Sequence, residues 1–150
     1  MRKEISCKEW LQRDLERLPY DKYSIEHQRA ELQEIEAEYT AIKATNYDKM
    51  PSGSGDNTQE EKLLSAIAKK TKLQEWIHAT ELHVKNMEAL LATLSEEDRV
   101  IVERTIINRQ KNAEEDVAEE IGIERRQVYN RKSEIMHKLC QLRFGQGYQP

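Results

Sequence analysis

Residues 117–142 read VAEEIGIERRQVYNRKSEIMHKLCQL, and Gly122 divides this stretch into two amphipathic segments. Ala118 stands four residues before the glycine, Val128 stands six after it, and Ile121 and Ile123 flank it. Two helices that cross steeply need a small residue where they touch, a flexible residue in the turn, and apolar residues that lock the pair. Ala118, Gly122 and Val128 supply these three. The spacing predicts a helix-turn-helix. Its first helix is capped by Asn112 and turns Val117, Ala118 and Ile121 inward. Its second runs from Glu124 to Leu142, with Val128, Ile135, Leu139 and Leu142 on the inner face.

The second helix is strongly basic. From Arg125 to Arg143 it carries six cations, Arg125, Arg126, Arg131, Lys132, Lys138 and Arg143, against the single acid Glu134, a net +5. A recognition helix reads base edges with residues near its N-terminus, and arginine there can pair with guanine through two bonds. Arg125, Arg126, Gln127, Tyr129 and Asn130 occupy that region and are the candidate base contacts. Arg131, Lys132 and Lys138 are candidate phosphate anchors, which position a protein without specifying sequence. A basic helix that is only a solvated face is the plain alternative.

The preceding helix has the opposite character. Glu114, Glu115, Asp116, Glu119 and Glu120 would be repelled by a nearby phosphate backbone. Acids at a helix N-terminus are favoured by the dipole, and such a cluster also makes a surface for a basic protein partner. Both roles are expected of these five residues.

Upstream of the module, Ser95-Glu96-Glu97-Asp98 is a helix start, with Val100, Ile101, Ile106 and Ile107 as apolar anchors and an interruption at Asn108–Lys111. Before it, Leu63, Ala66, Lys70, Leu73, Ile77, Thr80, Val84, Met87, Leu91 and Leu94 alternate steps of three and four, the seam of a helix about 50 Å long. Ile25, Gln28, Leu32, Ile35, Tyr39 and Ile42 form a second seam on a helix from Ser24 to near Asn46. A short first helix begins at Ser6, with Glu9 as capping-box partner, and is expected to stop at Pro19. Residues 46–57 contain Pro51-Ser52-Gly53-Ser54-Gly55 and are expected to form a loop that folds the two long helices into an antiparallel hairpin. The expected organisation is a helical hairpin and oligomerisation region over 1–93, the helix-turn-helix module over 94–143 and a frayed tail over 144–150. Lys70, Thr80 and Gln28 weaken the seam but can fix register or partner number; the longer seam of the third helix needs the first helix or another subunit to cover it, and a homo-oligomer is expected.

Composition agrees with an all-α chain: 37% of residues are apolar, 35% are charged, and the 5 glycines and 3 prolines are too few for many sharp turns. The net charge of −4 means that any nucleic-acid contact must be local. Cys7 and Cys140 share no metal-ligand spacing and read as reduced thiols. The N-terminus leads into no apolar stretch long enough for a signal peptide or membrane span, so a cytoplasmic, non-membrane protein is expected.

Leu94-Ser95-Glu96-Glu97-Asp98, followed by Ala118, Gly122, Val128 and Leu139, resembles the helix-turn-helix of sigma-factor region 4, over about the last third of the chain. The wider order of a Tyr47–Gly55 loop, a long charged helix and this module is similar to phage-encoded transcriptional regulators of the RinA/ArpU type of Gram-positive bacteria and their prophages. The resemblance implies control of phage genes in a bacterial host through promoter DNA, RNA polymerase, or both. Arg131 departs from the sigma-like pattern, which places an apolar residue three positions after the one equivalent to Val128.

Other chemistries find less support. Glu75…His78 and Glu134…His137 have the spacing of di-iron bundles, but Ile77 holds the seam and leaves Glu75 and His78 off it. His27 and His83 have no nucleophile placed beside them by the sequence, and the Gly53-Ser54-Gly55 loop follows no strand and lacks a Lys-Ser/Thr pair. No enzyme and no cofactor are expected. A DNA-packaging small terminase subunit, or a polymerase- or sigma-binding protein that never touches DNA, are the alternatives to a promoter-binding regulator.

Overall fold

The computed structural model describes residues 5–48 and 57–150. All regular elements among them are helical: α1 (Cys7–Asp48), α2 (Asn57–Ala92), α3 (Glu96–Val102) continuing into a π-helical turn (Glu103–Ile107), α4 (Ala113–Ile121) and α5 (Arg125–Phe144), then a short 3-10 turn (Gly145–Gly147). The chain is all-α. The Pro51–Gly55 stretch expected to loop lies outside the described residues, as do Met1–Glu4.

The capping box at the start of α1 forms: the Ser6 N–H donates to Glu9 Oε2 at 3.2 Å, and the Glu9 N–H donates to Ser6 Oγ at 3.3 Å. The helix does not stop at Pro19, which lies inside α1. A mid-helix proline removes the bond to the carbonyl four residues back and costs about 3 kcal/mol. Against this, Leu11, Leu15 and Leu18 are buried, each contributing roughly 2 kcal/mol. Leu11, Leu18, Ile25, Leu32 and Tyr39 recur every seven residues, so only an uninterrupted helix keeps them on one stripe. What was expected as two helices is therefore one.

α1 and α2 pack together as an antiparallel pair. In the compact unit formed by residues 22–82, Arg29 pairs with Glu81 and Glu36 with Lys70, so α1 ascends as α2 descends. The seam read from the sequence is the one that packs: Ala66, Leu73 and Ile77 are buried, and Leu63 and Lys70 are half-buried. Lys70 is accommodated at the seam by reaching Glu36 Oε1 at 3.7 Å and lying 5.8 Å from the Tyr39 ring centroid.

The second compact unit joins residues 1–21 to 83–150. Its core is built from Leu11, Leu15 and Leu18 of α1, Met87 and Leu91 of α2, Ile101 and Val102 of α3, Val117 and Ala118 of α4, and Val128, Ile135 and Leu139 of α5. The start of the chain thus belongs with the C-terminal module, a long-range arrangement that local periodicity does not reveal. In the tail expected to fray, Tyr148 is buried, and its hydroxyl lies 2.8 Å from His137 Nδ1. Leu142, expected to face inward, is exposed, while Met136 and Cys140 are buried in addition to the predicted positions.

Candidate nucleic-acid interface

The turn of the helix-turn-helix is built as the sequence requires. Gly122 ends α4 with φ 81°, a left-handed conformation that costs other residues roughly 1–2 kcal/mol. The Gly122 and Ile123 N–H groups both donate to the Ala118 carbonyl, at 2.9 and 3.0 Å, closing the helix end with a left-handed glycine cap. Across the turn, Glu124 and Gln127 form a capping box at the start of α5, the Glu124 N–H donating to Gln127 Oε1 at 2.9 Å. Ser95 caps α3 by accepting from the Asp98 N–H at 3.2 Å. Asn112, predicted as the cap of α4, instead adopts φ 62° and makes no side-chain cap bond.

Most of the positive charge on α5 is matched by the protein's own acids. Arg125 Nη1 donates to Glu115 Oε1 at 3.0 Å, and its guanidinium lies 5.6 Å from the Tyr129 ring centroid. Hydrogen bonding to the Tyr129 hydroxyl, helped by Glu115, raises the pKa of Arg125 further. Arg131 donates to Asp98 Oδ1 at 2.7 Å and to Glu97 Oε2 at 3.2 Å. Lys132 Nζ sits 3.8 Å from Glu114 Oε1, and Arg143 pairs with Asp14. Four of the six cations on α5 are therefore ion-paired. Arg126 and Lys138 remain exposed. Among the described residues Lys138 donates to the Thr93 carbonyl, at 3.4 Å.

This pairing changes the roles assigned from sequence. Arg131 and Lys132 are half-buried struts between helices, so they are poorly placed as phosphate anchors. Gln127 has its carbonyl oxygen engaged in the cap. Arg126 and Asn130, four residues apart and exposed, share the outer face of the first turns of α5, opposite buried Val128. Tyr129 flanks them at 43% exposure.

The acidic helix divides in the same way. Glu114 is buried, and cannot belong to a partner surface. Its carboxylate accepts from Arg109 at 2.7 and 3.3 Å. Burial alone would raise its pKa, but its own backbone N–H, Arg109 and Lys132 outweigh burial and hold it below the ordinary value. Glu115 and Glu120 are exposed but paired, with Arg125 and Arg104. Asp116 and Glu119 are the exposed acids of α4 that make no ion pair among the described residues.

Charge counting along one helix could not anticipate these pairs, since each acid comes from another element. The signal that existed was the acid at Glu97-Asp98, together with a cation where a core residue was expected, at Arg131. Compared with known proteins, the chain matches no family model, no curated protein and no solved structure.

Proposed function

We propose that this chain binds double-stranded DNA through the α4–turn–α5 module, with Arg126 and Asn130 as the base-reading pair and Tyr129 beside them. One observation carries the reading: an arginine and an asparagine without ion-pair or hydrogen-bond partners among the described residues stand together on the outer face of the N-terminal turns of α5. That is where a recognition helix meets base edges. Arginine suits guanine and asparagine suits adenine, each through two bonds. The resemblance to sigma region 4 and to RinA/ArpU-type regulators extends the proposal to promoter DNA, with RNA polymerase as a neighbouring partner and Asp116 and Glu119 as the acids left to meet it.

Selection of bound duplexes from a randomised pool at low salt tests the proposal. The wild type is expected to enrich a short motif, and Arg126→Ala to lose preference at one base pair within it. An unenriched pool, or the same motif from the variant, contradicts it.

A second reading is favoured by the four ion-paired cations of α5, which leave little charge for phosphates. In it, the module engages RNA polymerase without touching DNA. Retention on immobilised polymerase, together with no duplex binding at about 50 mM salt, selects that reading.

A further inference from the structure

The unit formed by residues 22–82 has two flanks, and only one is closed. On the first, Arg29 pairs with Glu81, Glu36 pairs with Lys70, and Lys70 covers Tyr39. On the other, a groove runs between the helices in two lobes of about 220 and 320 Å³ that share Ile35 and Lys69. Its α1 wall carries Glu31 and Glu38, seven residues apart. Its α2 wall carries Lys62, Lys69 and Lys72 against the single acid Glu61, and so is net basic. None of these six exposed charges has an ion pair within the described residues. Trp76 stands at one end, 61% exposed, beside Gln28, whose Oε1 is buried with no hydrogen-bond partner among the described residues.

Two helices cannot enclose a core alone, and Leu32, Ile35, Tyr39, Ile42 and Leu63 on this seam are only half-buried. An acidic wall facing a basic wall is self-complementary under a two-fold axis, because each wall of one copy meets the opposite wall of the other. We propose that this groove is a dimer interface whose occupant is a second copy of the same chain. Glu31 and Glu38 of each copy lie against Lys62, Lys69 and Lys72 of the other, and Trp76 is buried between them. A four-helix arrangement then covers the half-buried seam, with flanking charges setting partner and orientation. This goes beyond the DNA-binding reading and does not depend on it.

Sedimentation velocity of the full chain, without DNA, between about 1 and 100 μM, a range set by ordinary dimer affinities, tests the proposal. The wild type is expected to pass from chain mass to twice that mass, with the tryptophan emission shifting to the blue. Lys69→Glu with Lys72→Glu, and separately Glu31→Lys with Glu38→Lys, are each expected to weaken self-association at least tenfold while keeping the helical circular dichroism. All four positions are exposed, so the fold should tolerate them. An equimolar mixture of the two charge-reversed chains is expected to restore the dimer. A wild type that stays monomeric throughout, reversed chains that associate like the wild type, or a mixture that remains monomeric would each overturn the interface.

Discussion

Arg131 Nη2 donates to Asp98 Oδ1 across 2.7 Å, fastening the middle of α5 to the first turn of α3. The guanidinium stands where a sigma-like module would place an apolar side chain. The hydrogen bond to Asp98, and then the one to Glu97, hold it there and raise the pKa of Arg131 further. A partly exposed ion pair thus joins the two helices at this point, and it removes from α5 a cation that the sequence offers to DNA.

The ion pair has a measurable coupling. A double-mutant cycle of Arg131→Ala and Asp98→Ala in urea unfolding is expected to give on the order of 1 kcal/mol, the upper end for a pair that water still reaches. Additive effects of the two substitutions would show that the contact does not fasten the helices.

Glu114 makes stability depend on pH in the acid range. Its folded pKa lies below the ordinary 4.5, so the unfolded chain takes up the proton first as pH falls. Its contribution is complete above the unfolded value and is lost as pH drops through the folded one. Glu114→Gln is expected to cost about 2 kcal/mol near neutrality, the range for a hydrogen bond to a charged partner. The gap from the wild type should narrow below pH 4.5, as read from urea midpoints at each pH. Parallel midpoint curves would refute this assignment.

Pro19 is a cost that α1 carries. Replacing it with alanine restores the missing backbone bond, offset in part by the freer unfolded chain, and is expected to stabilise the protein by about 1–2 kcal/mol. If α1 were broken at this point, Pro19→Ala would leave the urea midpoint unchanged or lower it.

Salt dependence reads how many α5 cations meet phosphate. With Arg126 given to a base edge and Lys138 the one cation of α5 left for phosphate without an ion pair among the described residues, log affinity for duplex DNA should fall with log salt at a slope of about −1 per bound module. A slope near −5 would mean that the ion pairs open and all six cations engage.

The helices and their seams were legible because a period of three and four residues is local. Leu63 through Leu94 packs along the predicted line, and Ala118, Gly122 and Val128 occupy the places their chemistry required. Long-range partners were not legible. Asp14 and Asp21 sit on the α1 seam, where an apolar count passes over them, yet His83 Nε2 lies 3.9 and 4.0 Å from their carboxylates. The same limit hid the pairs of Arg125, Arg131, Lys132 and Arg143, so α5 read as more basic to its surroundings than it is. Pro19 misled for another reason: local propensity gave way to a stripe of buried leucines.

The most direct test of DNA reading by the outer face of α5 compares the affinity of Arg126→Ala and Arg131→Leu for one selected duplex, at one salt concentration, by fluorescence anisotropy. Loss of a two-bond base contact is worth roughly 1–3 kcal/mol, so Arg126→Ala should weaken binding by about fivefold to a hundredfold or more, while Arg131→Leu stays within about twofold. Equal affinity of Arg126→Ala and the wild type would contradict the account.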